Sequence, residues 1–420
     1  MKTNILRALS EKSFLNLWIG EVFTQISANL FNFFLILIVF KLTHSNTAVS
    51  GVVLSFTIPA ILFGSIAGAF VDRWNKRNVL IITNIVRSCL FIILAFCLNN
   101  IFIIYLTSFI VAIFTQFFIP AESPIIPLVV RPKNLLSANA LFGMGIFGSL
   151  LVAYVMSGPL IILVGPMNTL FILSCLLFLG ALFISFVKLT YVKSDQPSKL
   201  SEHFNILRDI KHTLLLISKT KEVSHSLFLI ALSQILILIL ATIAPGYANQ
   251  VLGINVEEFP LIIVAPAALG MIAGAVIVVN MFHSHPKNNV ITAGIILSGL
   301  TMLFLPFGSK VASRDFVQIL NVYLPHYFEI TILHIMAFIA FILGVANSLV
   351  FVPANTLIQE KATDEFRGKI YGFLNTIVGV LSLLPIILVG GLSDLIGVAA
   401  VIVGIGICLL LLGLTRVFMK

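Results

Sequence analysis

The chain has 420 residues, of which 59% are hydrophobic and 10% are Asp, Glu, Lys or Arg, with a net charge of +9 and a mean hydropathy of +1.12. A soluble domain is about 25% charged, so this chain lacks the charge to coat a water-facing surface, and lipid is the solvent for much of it. Continuous apolar runs, without period-two alternation, exclude a spanning β-barrel; at about 20 residues per crossing the length accommodates roughly a dozen helices.

In chain order, spans are predicted near 14–40, 48–71, 78–98, 101–125, 138–164, 168–190, 225–249, 258–282, 289–307, 329–355, 367–390 and 395–417. The start, MKTNILRALSEKSFLNLWIG, is basic and has no small-residue cleavage site after its apolar run, which predicts a cytoplasmic tail and a retained first span. Span one carries Glu21, Gln25, Asn29 and Asn32 at i, i+4, i+8 and i+11, one helix face. The connection to span three, GAFVDRWNKR (68–77), crowds Asp72, Arg73, Lys76 and Arg77 together. Arg87 lies inside span three, read as a structural tie to a neighbour's carbonyls or acid. Span four repeats the polar stripe with Tyr105, Ser108, Thr115, Gln116, Glu122 and Ser123, and span five carries the Gly158–Pro159 pair. Intramembrane carboxylates cost about 2.5–3.5 kcal/mol even on a lenient scale, so both stripes should face protein or water.

The connection 191–224 is mixed in charge and partly amphipathic, an interfacial helix or a solvated linker. It divides the chain into 1–190, a linker at 191–224, and 225–420. Span seven then offers Gln234 and Thr242, span ten Asn347 and Asn355, and span eleven Tyr371, Asn375 and Ser382, a mostly uncharged set. The four cysteines, all in apolar runs without a CxxC pair, read as small core residues. His283 and His285, two residues apart without a partnering acid or Cys, make a poor metal site, and no metal is expected. Glu329 and His334, near the outer end of span ten, could pair or titrate, with a wet helix end as the other reading.

All but four of the 25 Lys and Arg fall on the tails and the even-numbered connections; the exceptions are Lys41, Lys310, Arg314 and the intramembrane Arg87. Basic residues stay on the cytoplasmic side, so both termini are expected inside, in a multi-pass protein of the plasma (inner) membrane. The positive charge is thus a topology signal; a nucleic-acid surface would gather it on one face of one domain. Repetition supports two halves. GSIAGAFV (64–71) recurs as GMIAGAVI (270–277), KRNVLI (76–81) as KNNVIT (287–292), and FIPAESPIIP (118–127) as FVPANTLIQE (351–360). The expected fold is an all-α membrane protein of twelve transmembrane helices in two pseudo-symmetric six-helix bundles related by an axis along the membrane normal.

Gly68-x-x-x-Asp72-Arg73-x-x-Lys76-Arg77, between the second and third of twelve spans, resembles the loop motif of the major facilitator superfamily, with Asn75 where that family usually has Gly. FFIPAESPIIPLV followed by LLSANAL (135–141), Arg87, and PANTLIQEKATDEFRGKIYG (353–372) are similar to its drug- and siderophore-exporter branch, which includes macrolide-efflux and enterobactin-exporter relatives. The resemblance implies that spans one, four, seven and ten line a central cavity, and that Asp72 accepts hydrogen bonds from the start of span eleven at Arg367–Gly372. It also implies that Gly158–Pro159 belongs to a span-five antiporter motif. Gly68 would let helices approach closely, and Lys76 and Arg77 would pair with Glu122, latching the cytoplasmic side. A plain topology anchor is the alternative for this loop. Glu21 is the candidate proton carrier, with packing by hydrogen bonds as the alternative.

Amides, hydroxyls and many Phe suit a lipophilic or amphipathic cargo. The expectation is a monomeric secondary transporter in the bilayer that exports a small molecule, without a cofactor and with a proton gradient as energy source. A lysophospholipid transporter of the same fold is the alternative, and an intramembrane enzyme a remote one: no HExxH, GxSxG or clustered Asp/His set is found.

Overall fold

The structure is a computed structural model that describes residues 5–189, 221–282, 285–308, 331–361 and 364–418. The described residues form helices joined by short connections, with no strand among them. After a short 3-10 turn at Ile5–Ser10, helices run over α1 Lys12–Thr43, α2 Asn46–Arg73, α3 Lys76–Ala95 and α4 Ile101–Val129. Next comes one run, Leu135–Ser185, broken at Gly165, whose limbs 135–164 and 166–185 are α5 and α6. The remainder is α7 Lys221–Gly246, α8 Ala265–Met281, α9 Lys287–Phe304, α10 Ile332–Lys361, α11 Asp364–Ile396 and α12 Val398–Phe418.

Eleven described stretches are long and apolar enough to cross a membrane, one of them the 49-residue Ser137–Ser185. At 1.5 Å per residue that stretch reaches about 74 Å, more than twice a hydrocarbon core of about 30 Å. Its break is built for a reversal: Gly165 has φ 81 and ψ 163, a conformation open to glycine alone, and Pro166 follows. It is therefore two crossings, which makes twelve among the described residues. The predicted spans match these helices to within about seven residues at each end, because lipid thickness sets their length and turn residues their ends. The connection α2–α3 is two residues long, and Asn75 caps α3 by accepting from Asn78 N at 3.3 Å. Its φ of −67 needs no glycine, which is why the departure from the usual Gly is tolerated.

The described residues cluster into two compact units: Met1–Leu35 with Leu54–Ile210, and Ile36–Val53 with Lys211–Lys420. Nothing in the sequence division at 191–224 hints that 36–53 cluster with the second unit. The proposed interfacial segment falls almost entirely on 190–220, and Lys310, Arg314 and Glu329 on 309–330; both ranges lie outside the described residues, as does His283.

In the first unit α1 meets α6 through two glycines. A side chain at Gly180 would stand 2.7 Å from Thr24 Oγ1 and 3.0 Å from Gly20 O. Ser88 and Ser174 each donate to the other's carbonyl, at 3.0 and 2.9 Å, and join α3 to α6. Trp18 Nε1 donates to Leu141 O at 2.8 Å and joins α1 to α5. Phe14, Leu17, Leu80, Phe118 and Ile125 form the apolar core at that end of the unit. In the second unit α8 and α10 pack backbone to backbone: a side chain at Gly270 would run into Phe341 O, and one at Gly344 into Ala267 O. α9 meets α12 likewise, where Gly299 stands against Gly406 O and Leu410 N. Small residues allow this in lipid, where no hydrophobic effect drives helices together.

Candidate functional site: a buried charged cluster in the first unit

The α1 stripe is a hydrogen-bonded ladder. Gln25 Nε2 donates to Glu21 Oε1 at 2.7 Å, and Asn29 Nδ2 donates to Gln25 O at 2.8 Å. The i, i+4 spacing makes this automatic on a helix. Glu21 is only 1% exposed, and its Oε2 is buried with no donor reaching it among the described residues. Facing it from α4 is Glu122, also buried, whose carboxyl stands within hydrogen-bonding reach of Glu21's. Two ionised carboxylates offer each other no donor, whereas a proton on either carboxyl supplies one.

Arg87 of α3 supplies the opposite charge. Its field acts on both carboxylates, yet its hydrogen bonds go elsewhere. Nε donates to Thr83 O at 3.3 Å, Nη1 to Thr115 Oγ1 at 3.4 Å and Nη2 to Asn84 Oδ1, while the guanidinium lies 4.7 Å from the centre of the Phe118 ring. Asn84 in turn donates from Nδ2 to Thr24 Oγ1 at 2.8 Å, and Thr24 donates to Gly20 O at 2.8 Å. One network thus runs from Arg87 through α3 to the backbone of α1 at Gly20, the residue before Glu21. Thr115, Phe118 and Glu122 are spaced i, i+3, i+7, so a single face of α4 presents all three to Arg87. Glu21, Glu122 and Arg87 carry a net −1 when all are ionised and zero after one proton is added.

The other expected residues distribute as follows. Gln25, Asn29, Asn32, Tyr105 and Gln116 are half-buried in the first unit. In the second, Gln234 is half-buried, and Asn347 Nδ2 donates to Ser233 Oγ at 2.9 Å while its Oδ1 is buried without a partner among the described residues. The side chains of Asn375, Asp72 and Ser123 lie outside the described residues. At the 68–77 loop a side chain on Gly68 would meet no described atom within 4 Å, and Arg73 is exposed. Lys76 Nζ reaches Val71 O at 3.4 Å. Arg77 donates to Ile184 O at 3.4 Å and to Ser185 O, capping the end of α6. Glu122 was expected opposite Arg77; the helical phase of α4 turns it to Glu21 and Arg87 instead. Gly158 and Pro159 sit within α5, where Ser157 Oγ donates to Tyr154 O at 2.8 Å.

The Asn84–Thr24 link was missed by sequence reasoning. Asn84 lies one turn before Arg87 on the same face of span three, a polar pair in an oily run, and that was the available signal. The charged cluster can hold or release one proton and can offer amides to a polar ligand atom. Among the described residues no group of His, Cys, Asp and Glu could hold a metal ion.

Comparison with known proteins gives a consistent picture. The family model described as Major Facilitator Superfamily matches residues 17–385. YfiS of Bacillus subtilis (strain 168), an uncharacterized MFS-type transporter, is 22% identical over 396 residues, covering 92% of this chain and 88% of YfiS. The crystal structure of the nucleoside transporter NupG superposes with a TM-score of 0.74 at 12% identity, covering 97% of this chain and 98% of that one. That of the POT family transporter PepTSo superposes with a TM-score of 0.71 at 14% identity, covering 97% of each chain. At such identities these likenesses speak for the fold alone.

Proposed function

Because this chain belongs to the Major Facilitator Superfamily, and so carries out secondary transport by alternating access, we propose that it is a proton-coupled exporter of a lipophilic or amphipathic small molecule. This reading places it in the drug- and siderophore-exporter branch, as a monomer of the inner membrane with both termini cytoplasmic. The observation that carries it is the buried Glu21–Glu122 pair beside a single Arg87, with Glu21 Oε2 lacking a donor.

The coupling follows from charge. With both carboxyls ionised the cluster keeps an uncompensated negative charge, which costs several kcal/mol in a dry interior and has to face water or cargo. One proton on the pair brings it to neutrality, and the cluster can then be closed off from water. Proton-loaded and cargo-loaded forms are thereby made exclusive, as exchange requires. Gln25, hydrogen-bonded to Glu21, transmits the change along the α1 ladder to Asn29, and Asn32 follows on the same face. These amides, with Tyr105, Gln116, Gln234, Asn347 and Asn375, are the cargo-facing polar groups in this reading. Their neutrality and the many Phe favour an amphipathic cargo over a sugar phosphate. Gly68, Asp72, Arg73, Lys76 and Arg77 form the cytoplasmic latch in this reading.

The test uses proteoliposomes and a lipophilic fluorescent dye. Glu21→Gln should lose uphill flux driven by a proton gradient while retaining counterflow exchange. Undiminished uphill flux in that variant removes the coupling assignment. Dye flux absent from the unaltered protein, with ionophore-insensitive lysophospholipid movement instead, replaces the cargo class.

A further inference from the structure

The spacing Gly-x-x-x-Asp of the 68–72 loop occurs again in the chain, as Gly390-Gly-Leu-Ser-Asp394 in the last two turns of α11. Asp394 is badly placed by its own helix. A carboxylate in the final turn sits near the negative end of the helix dipole, so its charge must be met from elsewhere. The start of α2 meets it. Asp394 Oδ1 accepts from Asn46 N at 2.8 Å and from Asn46 Nδ2 at 3.0 Å. Its Oδ2 accepts from Ser45 Oγ at 2.6 Å, Thr47 N at 2.9 Å and Thr47 Oγ1 at 2.7 Å. The two backbone donors belong to the first turn of a 28-residue helix, where N–H groups are without intrahelical partners and the dipole is positive.

One turn earlier, Gly390 leaves room for this approach: any side chain there would run into Ser50 Oγ and stand 2.9 Å from Asn46 O. Ser50 Oγ donates to Ile386 O at 3.0 Å. On the α1 side of the same turn, Lys41 Nζ pairs with Glu257 at 2.6 Å. These contacts all lie within the second unit, which includes Ile36–Val53 although the chain on both sides of that segment belongs to the first unit.

We propose that Gly390 and Asp394 form, with Ser45, Asn46 and Thr47, a releasable clasp at the end of α2 opposite the 68–77 loop, and that it opens in each transport cycle. Its chemistry suits release. Asp394 and Thr47 are exposed, so water takes over their hydrogen bonds when the clasp parts, and the exchange is nearly balanced. The α8–α10 contact, backbone against backbone and with Ser348 buried where it donates to Met271 O at 2.6 Å, has no such low-cost open state. The Gly-x-x-x-Asp spacing then occurs near both ends of α2: one copy lies in the last turns of α2, and the other lies on α11 and caps the start of α2. The clasp rests on alternating access and not on proton coupling or cargo, so its test needs neither.

Val49 is fully buried beside this clasp. Val49→Cys is introduced into a chain whose Cys89, Cys97, Cys175 and Cys408 are replaced by Ser, and a hydrophilic maleimide is applied in nanodiscs, where both faces are reachable. Asp394→Asn should speed labelling at position 49 about 10-fold, equivalent to about 1.4 kcal/mol. Ser45→Ala with Thr47→Ala, which keeps the carboxylate and both backbone donors, should speed it by a smaller factor; it carries the test if Asp394→Asn does not fold. Asp72→Asn, which weakens the latch at the other end, should slow the same reaction. Unchanged labelling in the clasp variants overturns the proposal. So does faster labelling in them without slowing in Asp72→Asn, which would make Asp394 a static staple.

Discussion

The matched octapeptides at 64–71 and 270–277 are put to different uses. In the second unit a side chain at Gly270 would run into Phe341 O, one at Gly274 would stand 2.8 Å from Ser348 Cβ, and Ser348 Oγ donates to Met271 O at 2.6 Å. In the first unit the nearest described atom to a side chain at Gly64 is Gln116 Oε1 at 3.5 Å, and at Gly68 there is none within 4 Å. The partner helix decides. In the register that aligns FIPAESPIIP with FVPANTLIQE, Gly344 of α10 corresponds to Val111 of α4, and only the glycine admits a neighbouring backbone. The same registers pair Glu122 with Asn355 and Arg87 with Ser298. One copy of the repeat has become a close-packed neutral scaffold, and the other has kept a looser helix pair around buried charge.

The largest effect that breaks this contrast is expected from Arg87→Met. It leaves two buried carboxyls without their cation and should destabilise the fold by about 3–5 kcal/mol, the range for breaking a buried pair. Thermal unfolding in detergent micelles reads it, and adding Glu122→Gln should restore part of the loss, since the two sites are coupled. Next comes Gly270→Leu. Its side chain meets a backbone carbonyl that cannot rotate away, so a loss of about 3 kcal/mol is expected in the same assay, at the upper end for overpacking. The smallest effect belongs to Gly64→Ala, whose added carbon meets only ordinary van der Waals contact. A change within about 0.5 kcal/mol is expected; a loss as large as that of Gly270→Leu would erase the distinction between the repeats.

Much of the fold was legible. Twelve apolar runs, the turn at Gly165–Pro166 and the duplicated segments can be read along the chain, because span length answers to bilayer thickness and reversals to glycine and proline. The α1 ladder was legible too: Glu21, Gln25 and Asn29 share a face by helical period alone. The destination of Glu122 was not. Its depth suggested the basic loop, but depth does not specify azimuth, and the phase of α4 turned it to Arg87. Asp394 was passed over because its partners at 45–47 are about 350 residues away in the chain and nothing local marks them.

By itself, then, the sequence determined that the chain crosses a membrane as helices, roughly where each crossing begins and ends, and which polar side chains share a face, since these depend on lipid thickness and helical period. Which faces meet was decided only in three dimensions: Glu21 with Glu122 and Arg87, Gly270 with Phe341, Asp394 with the first turn of α2. The reason is physical. In lipid every apolar face is equally content, so association is settled by whether two backbones fit together and whether a buried charge finds its counterpart, and both are properties of pairs of helices.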